Sequence, residues 1–267
     1  MSVSEWIDRQ QMTGWTTFTF EEVIKALPSL SRQNISNSLW RLSTAHIIAP
    51  VQRGFYVIVP PTSRISGITD PYYYIDSLMN KIGRDYYVCL RSAAALHGAS
   101  HQAVLQRQVM LPVPHISFSS TRNDQLAWFY RSHIPAAFLD ERKTESGYIK
   151  VSNPELTALD LVQYCAKSGG LSSVATMLAE IGERLDFSRN DGSVLKTASS
   201  ATIQRLGYLL ENILGFHDVA DMLSEFWHLY FKRPNYALMS PKSGQKAFLR
   251  NEHWKIDVNA TIEIDDL

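Results

Sequence analysis

The chain is poor in cysteine and has no long apolar run. Its 267 residues include only two cysteines, Cys89 and Cys165, which lack the paired spacing of a zinc site or a disulfide framework. No stretch approaches the roughly 18 consecutive apolar residues of a membrane span, and the N-terminus has no basic start followed by an apolar run. We therefore expect a protein of the reducing cytoplasm that neither spans a membrane nor is exported.

Net charge and the familiar catalytic motifs are also lacking. Acidic and basic residues balance at 26 each, so any contact with nucleic acid must be confined to a local patch. The sequence contains no Walker-type phosphate loop, no G-x-S-x-G elbow and no H-E-x-x-H pair. His97 and His101 have a helix-like spacing, but Gly98 lies between them and no third ligand is evident. We therefore predict no enzyme activity, no cofactor and no metal site.

The segment from Ser31 to Pro60 is the most informative one present. Ser31 is a typical helix N-cap, and the residues behind it are apolar at helical spacing. The predicted core positions are Ile35, Leu39 and Leu42, with His46 one turn further on. At 100° per residue, the opposite side carries amide, hydroxyl and guanidinium groups, which can read base edges. The positions on that side are Gln33, Asn37, Trp40 and Thr44, with Arg41 at its edge.

The flanking segments complete the pattern of a winged helix-turn-helix. Thr19 is expected to cap the second helix, and Arg53 and Gly54 supply the turn of a short ribbon. The predicted elements are helices from Val3 to Met12 and from Phe20 to Leu27, a tight connection from Pro28 to Ser31, the helix after Ser31 that stops near Ile48 and Pro50, and a β-ribbon from Val51 to Val59. We assign residues 1–62 to this domain.

The charge pattern of the same region favours a polyanionic partner. From Val23 to Thr69 the sequence has five cations and no carboxylate, and cations that neutralise phosphates supply most of the sequence-independent affinity for DNA. The alternative is that these five cations belong to an ordinary solvated surface and bind no polyanion. The residues predicted to contact double-stranded DNA are Arg32, Gln33, Asn34, Ser36, Asn37, Arg41, Thr44, Arg53 and Tyr56. Trp40 is instead expected to pack on the first helix or on the next domain.

Behind a boundary that follows Pro60 the pattern becomes mixed α/β over 63–150 and mostly helical over 151–267, so we predict an α+β fold overall. The two regions are either separate domains or one effector domain. Predicted helices lie at Pro71 to Ile82, the later part of Tyr86 to His97, Leu156 to Lys167, Leu171 to Ile181, Ser199 to Ile213 and Ala220 to Tyr230. Predicted strands lie at Gln108 to Leu111, His115 to Ser119, Ala127 to Tyr130, the residues before Pro154, and a final hairpin or edge strand formed by Tyr236 to Leu238 and Trp254 to Asn259.

Gly207 lies within one of the predicted helices, where glycine lowers helix propensity by about 1 kcal/mol relative to alanine. Its presence there indicates close packing of another element.

Several blocks of sequence resemble one bacterial family. They are the ribbon Arg53 to Val57, the run YVCLRSAAALHG from Tyr87 to Gly98, the run YIKVSNPELTALDL from Tyr148 to Leu161, QRLGYLLE from Gln204 to Glu211, and Trp254 to Asn259. In this order they resemble the AbiEi-type antitoxins, the antitoxin and repressor members of type IV toxin-antitoxin systems in abortive infection. The resemblance implies an autorepressor that binds inverted or direct repeats in its own promoter and neutralises a nucleotidyltransferase-like toxin.

Two other functions remain open. Asp140, Glu141 and Lys143 have the composition of a metal-dependent nuclease core, which would use the winged domain for targeting. The alternative is a solvated cluster of charged residues from Asp140 to Glu145, which requires no catalytic role. A winged helix can also serve as a protein-interaction module that binds no DNA. The acids Glu155 and Asp160 are expected to be structural, with Glu155 near the positive end of a helix dipole.

Overall fold

The computed structural model of the protein describes residues 1–99, 105–116, 125–241 and 243–264. The chain divides into two units. The first consists of Met1–Tyr87, Leu105–Ile134 and Glu141–Lys150, and the second of Val88–Val104, Pro135–Asp140 and Val151–Leu267. The chain therefore passes from one unit to the other five times.

The first unit begins with three helices and a three-stranded antiparallel sheet. Their bounds are α1 Val3–Met12, β1 Thr17–Thr19, α2 Phe20–Ala26, α3 Arg32–Thr44, β2 Ile48–Gln52 and β3 Phe55–Ile58. Thr19 forms a capping box with Glu22 at the start of α2, and Ser31 accepts the N–H of Asn34 at the start of α3. Both predicted N-caps are confirmed. The strand order is β1-β3-β2, which makes β2 an edge strand.

The end of α3 differs from the prediction. The helix ends at Thr44 rather than near Ile48, because His46 adopts a left-handed φ of 55°. The N–H groups of His46 and Ile47 donate to carbonyls in the last turn of α3 at 3.1 and 3.0 Å, which is the pattern of a Schellman C-cap. His46 is therefore exposed and does not join the core face as predicted.

The ribbon formed by β2 and β3 also starts earlier than predicted, at Ile48 rather than Val51. Pro50 lies inside β2, opposite Tyr56. An edge strand tolerates proline because one side of its backbone has no ladder partner. Between the strands, Gly54 has a φ of 73°, a conformation that suits glycine. Arg53 consequently lies at the tip of the ribbon, as predicted.

One hydrophobic core joins these six elements and fixes which side of α3 faces outward. Its buried members are Val3, Trp6, Ile7, Phe18, Val23, Leu27, Ile35, Leu39, Ile48 and Ile58. The predicted core positions Ile35 and Leu39 are fully buried, whereas Leu42 packs at the margin of the core. An amphipathic helix that buries this stripe must expose the opposite one.

The central elements are one helix and five strands of a mixed sheet. Their bounds are α4 Ile75–Ile82, β4 Tyr87–Val88, β5 Arg107–Pro112, β6 Leu126–Arg131, β7 Leu139–Thr144 and β8 Gly147–Ser152, and the strand order is β6-β5-β4-β8-β7. The strands predicted at Gln108 and Ala127 are confirmed and pair in parallel. The strand predicted from His115 to Ser119 is not seen at His115 and Ile116, and its last three residues lie outside the described residues.

The second unit is mainly helical. Its elements are α5 Leu90–Leu96, α6 Pro154–Gln163, α7 Gly170–Ile181, α8 Ser200–Tyr208, α9 His217–Tyr230, β9 Ala237–Leu238, β10 Leu249–Asn251 and β11 Ile256–Val258. Strand β11 pairs antiparallel with β10 and parallel with β9. The hairpin alternative for the last two predicted strands is therefore wrong, because β9 pairs with β11 in parallel, whereas the edge-strand alternative is confirmed for β9, which lies at an edge of this sheet. None of the helices in the described part of the chain has the length and apolar character needed to cross a bilayer.

Gly207 is the contact point between α8 and this small sheet. A Cβ placed on Gly207 would lie 2.2 Å from the ring of Trp254. Trp254 is fully buried and its ring stacks on Trp227, with 5.6 Å between the ring centroids. The prediction of close packing at Gly207 is confirmed.

Candidate nucleic-acid interface

The outward side of α3 is centred on Gln33, Asn37 and Thr44. A rotation of 100° per residue places these three opposite the buried Ile35 and Leu39. The exposed predicted contact residues of α3 are Arg32, Gln33, Asn34, Ser36, Asn37, Arg41 and Thr44. The hydroxyl of Thr44 donates to the carbonyl of Trp40 at 3.0 Å, so its oxygen keeps acceptor capacity for a ligand.

Gln33 and Asn37 lie one helical turn apart and form a pair. The Nε2 of Gln33 donates to the Oδ1 of Asn37 at 3.0 Å. This bond leaves the amide oxygen of Gln33 as an acceptor and the amide nitrogen of Asn37 as a donor. An adenine edge in the major groove offers one acceptor and one donor, so the pair has the complementary groups for it.

Arg32 has a carboxylate partner that the sequence did not reveal. Its Nη2 lies 3.0 Å from the Oε1 of Glu21, and its guanidinium carbon lies 5.3 Å from the ring centroid of Phe20. Both charged side chains are more than half exposed, and such surface pairs contribute only about 0.2–1 kcal/mol. Glu21 precedes the carboxylate-free stretch that begins at Val23, and only the packing of α2 on α3 brings it to Arg32.

Trp40 is exposed. The expectation that it packs on the first helix or on the next domain is wrong, since 69% of the residue is accessible. Helical geometry explains this, because Trp40 lies about 20° around α3 from Gln33 and therefore on the outward side. The interface predicted from polar residues thus also contains a large aromatic ring.

Arg41 and Arg53 are the predicted contact cations other than Arg32. Arg41 lies on α3 and Arg53 at the ribbon tip, and both are exposed. Neither forms an ion pair with any described residue. A cation without an internal partner can approach a phosphate without first breaking a bond.

Tyr56 differs from the other predicted contact residues. It is half-buried on β3, and its ring stacks on Phe18 with 5.3 Å between the centroids. Burial raises the pKa of its phenol. Its ring therefore packs against the sheet, and less of this side chain is accessible to a ligand than at the exposed positions.

The residues of the nuclease alternative are not brought together as a metal site. Asp140, Glu141 and Lys143 are exposed on β7, where neighbouring residues point to opposite faces. Within the described residues, no three His, Cys, Asp or Glu side chains cluster as metal ligands. His97 is buried, with its Nε2 2.7 Å from the carbonyl oxygen of Ser152, and His101 lies outside the described residues.

The two acids of α6 are buried. Asn153 is the N-cap of this helix and Pro154 occupies its first position. The Oε1 of Glu155 accepts the N–H of Asp186 at 2.9 Å, and burial raises the pKa of this carboxyl group. Asp160 is 2% exposed. Both side chains have the buried surroundings expected of structural acids.

Residues 86–212 match the family model described as the AbiEi antitoxin C-terminal domain. This match spans somewhat less than half of the chain and confirms the resemblance to AbiEi-type antitoxins. The match supports an antitoxin role, and so favours a regulator over an enzyme.

A solved structure shares the fold over almost the whole chain. It is the crystal structure of the RV2827C protein from Mycobacterium tuberculosis, which is 14% identical, covers 96% of this chain and 90% of its own, and superposes with a TM-score of 0.70. At this identity the similarity shows the fold alone. No curated protein sequence matches the chain significantly.

Proposed function

We propose that residues 1–62 form a winged helix-turn-helix domain that binds double-stranded DNA. The observation that carries the proposal is the outward side of α3, where Gln33, Asn37 and Arg41 are exposed. In this mode α3 enters the major groove and Arg53 at the ribbon tip contacts a phosphate.

We further propose that the protein is an antitoxin that represses its own operon. The antitoxin domain at 86–212 supports the first part, and the helix-turn-helix pattern supports the second. The DNA is its own promoter, bound at inverted or direct repeats, and the partner is a nucleotidyltransferase-like toxin. The effector part comprises the central region 63–150 and the helical region 151–267.

The experiment separates the two activities in the full chain. A triple variant with Gln33→Ala, Asn37→Ala and Arg41→Ala is tested for binding to duplex fragments from the DNA upstream of its own gene. We expect binding to weaken by about a hundredfold or more, because each lost base contact costs roughly 1–3 kcal/mol. Neutralisation of the toxin encoded beside it is expected to persist.

The matched control is Lys81→Ala, which removes an exposed cation from α4. It should leave both activities unchanged. If the unmodified protein binds no duplex even at low salt, the DNA-binding proposal is wrong. If it binds DNA but fails to restore growth to cells that express the toxin, the antitoxin proposal is wrong.

A further inference from the structure

A cavity of about 560 Å³ lies in the second unit. It is formed by the end of α6 and the turn behind it, the start of α7, one side chain of α8, and the segments that follow β9 and β11. Its size is within the range of small-molecule sites. Most of its wall is apolar and includes Val162, Leu171, Met239 and Pro241.

The charged groups in this wall are of one sign. Arg205 and Lys167 line the cavity, and its described lining contains no carboxylate. The Nε of Arg205 donates to the carbonyl of Leu238 at 2.9 Å, which fixes the guanidinium plane. Its two terminal nitrogens donate to no described group. Arg205 is half-buried, and burial lowers the pKa of its guanidinium group. A partly desolvated cation without a counter-ion favours an anion beside it.

The start of α7 adds backbone donors to the same wall. Its N-cap is Gly169, which provides no side-chain cap. Gly170 and Leu171 line the cavity, and their N–H groups donate to no described acceptor. The first N–H groups of a helix attract anions through the helix dipole. These N–H groups add to the attraction that Arg205 and Lys167 exert on an anion in the cavity.

We propose that this cavity binds a small organic anion, a carboxylate or phosphate ester carried on an apolar body. The anionic group meets Arg205, and the apolar body fills the space between Leu171 and Met239. This site is separate from the DNA-binding and antitoxin proposals and does not depend on either.

Cys165 provides a local readout for the test. Its thiol lines the cavity and is partly exposed, whereas Cys89 is fully buried. In the folded chain a thiol reagent should therefore react first at Cys165, and a Cys165→Ala variant should remove that signal. A ligand in the cavity should slow the reaction.

The experiment measures this protection and the heat of binding with three probes: phenyl phosphate, benzoate and inorganic phosphate. We expect phenyl phosphate or benzoate to protect Cys165 in a saturable way, and inorganic phosphate to bind more weakly because it lacks the apolar body. Arg205→Gln should weaken binding by about tenfold to a hundredfold. The control Arg233→Gln removes an exposed cation outside the cavity and should change nothing.

A second variant keeps the test decisive if Arg205→Gln does not fold. Lys167→Gln changes an exposed side chain at the cavity rim and should weaken binding by a smaller factor. The proposal is overturned if no probe protects Cys165 in the unmodified protein. Equal protection in the unmodified protein and in a folded Arg205→Gln variant would also overturn it.

Discussion

Gly207 has no side chain, and the indole of Trp254 occupies the space that one would need. A Cβ at this position would lie 2.2 Å from the ring, which is far inside contact distance. The ring cannot move away easily, because it is fully buried, stacks on Trp227 and donates its Nε1–H to the carboxylate of Glu211. A small residue in α8 therefore decides how closely the C-terminal sheet packs.

Gly207→Ala should lower the free energy of unfolding. Overpacking of this kind costs roughly 1–3 kcal/mol, which the gain of about 1 kcal/mol in helix propensity offsets only in part. Urea denaturation followed by circular dichroism measures the change. The double variant with Trp254→Leu tests the cause, since the penalty of alanine should shrink when the ring is removed. An unchanged penalty would show that Trp254 is not responsible.

Glu155 gives a prediction about pH. Its pKa is raised by burial from an ordinary value of 4.5, and its Oε2 has no partner among the described residues. Between the ordinary and the raised pKa the unfolded chain is ionised while the folded chain holds the proton, so its contribution to stability falls as pH rises. Glu155→Gln should remove this slope in the pH range above the ordinary pKa of 4.5. Denaturant unfolding across that range checks it, and an identical slope in both proteins would contradict the assignment.

Glu21 partly neutralises the charge of Arg32 through their ion pair. If the proposed DNA binding holds, Glu21→Gln should raise affinity by roughly up to fivefold, because it frees the guanidinium and removes a negative charge. Fluorescence anisotropy with promoter DNA measures the change. Glu183→Gln alters the net charge equally at an exposed site in the second unit and serves as the control. Weaker binding by the Glu21 variant would mean that the ion pair positions Arg32 for its contact.

At the scale of elements, α3 and the ribbon should contribute differently to recognition if the proposed DNA binding holds. An amide pair can read a base edge, whereas a lone arginine at a ribbon tip meets the sugar-phosphate backbone. Asn37→Ala should therefore reduce the discrimination between promoter and unrelated duplex. Arg53→Ala should weaken binding to both by a similar factor and reduce the salt slope by about 0.9. Titrations at several salt concentrations with the two duplexes distinguish the effects, and the opposite pattern would reverse the proposed roles.

The elements that follow local rules could be predicted from the sequence. The three N-terminal helices, the caps at Thr19 and Ser31, and the ribbon turn at Gly54 all depend on neighbouring residues. Two other features have no such signal in the sequence. The left-handed turn at His46 occupies a place usually held by glycine, and the parallel pairing of β9 with β11 has no local signal.

The candidate interface could also be predicted in part from the sequence. Periodicity was enough to identify the outward positions of α3, and those predicted positions are exposed. It could not reveal the partner of Arg32, because Glu21 reaches it through the packing of two helices. Periodicity also places Trp40 on the outward side, and only the expectation that it packs on the first helix or on the next domain is wrong. Tyr56 lies on an inward-leaning strand position, which sequence alternation over four residues does not settle.

At the scale of the whole molecule, the second unit needs more than the predicted region 151–267. It also contains α5, whose Leu90, Ala93 and Ala94 are fully buried, and His97, which is bonded to Ser152. A fragment of residues 151–267 would expose the surface that α5 covers. We expect it to lose cooperative unfolding, measured by thermal denaturation, while the full chain retains it. A sharp transition in the fragment would show that the helical region is autonomous.

The five passages of the chain between its two units have a consequence for separability. Any single protease cut divides at least one unit between the two fragments, so no single cut releases both units intact. Gene fusion meets the same obstacle, since no single crossover exchanges one unit and leaves the other complete. If DNA binding and toxin neutralisation reside in different units, point substitutions can change one activity without the other, whereas truncations cannot.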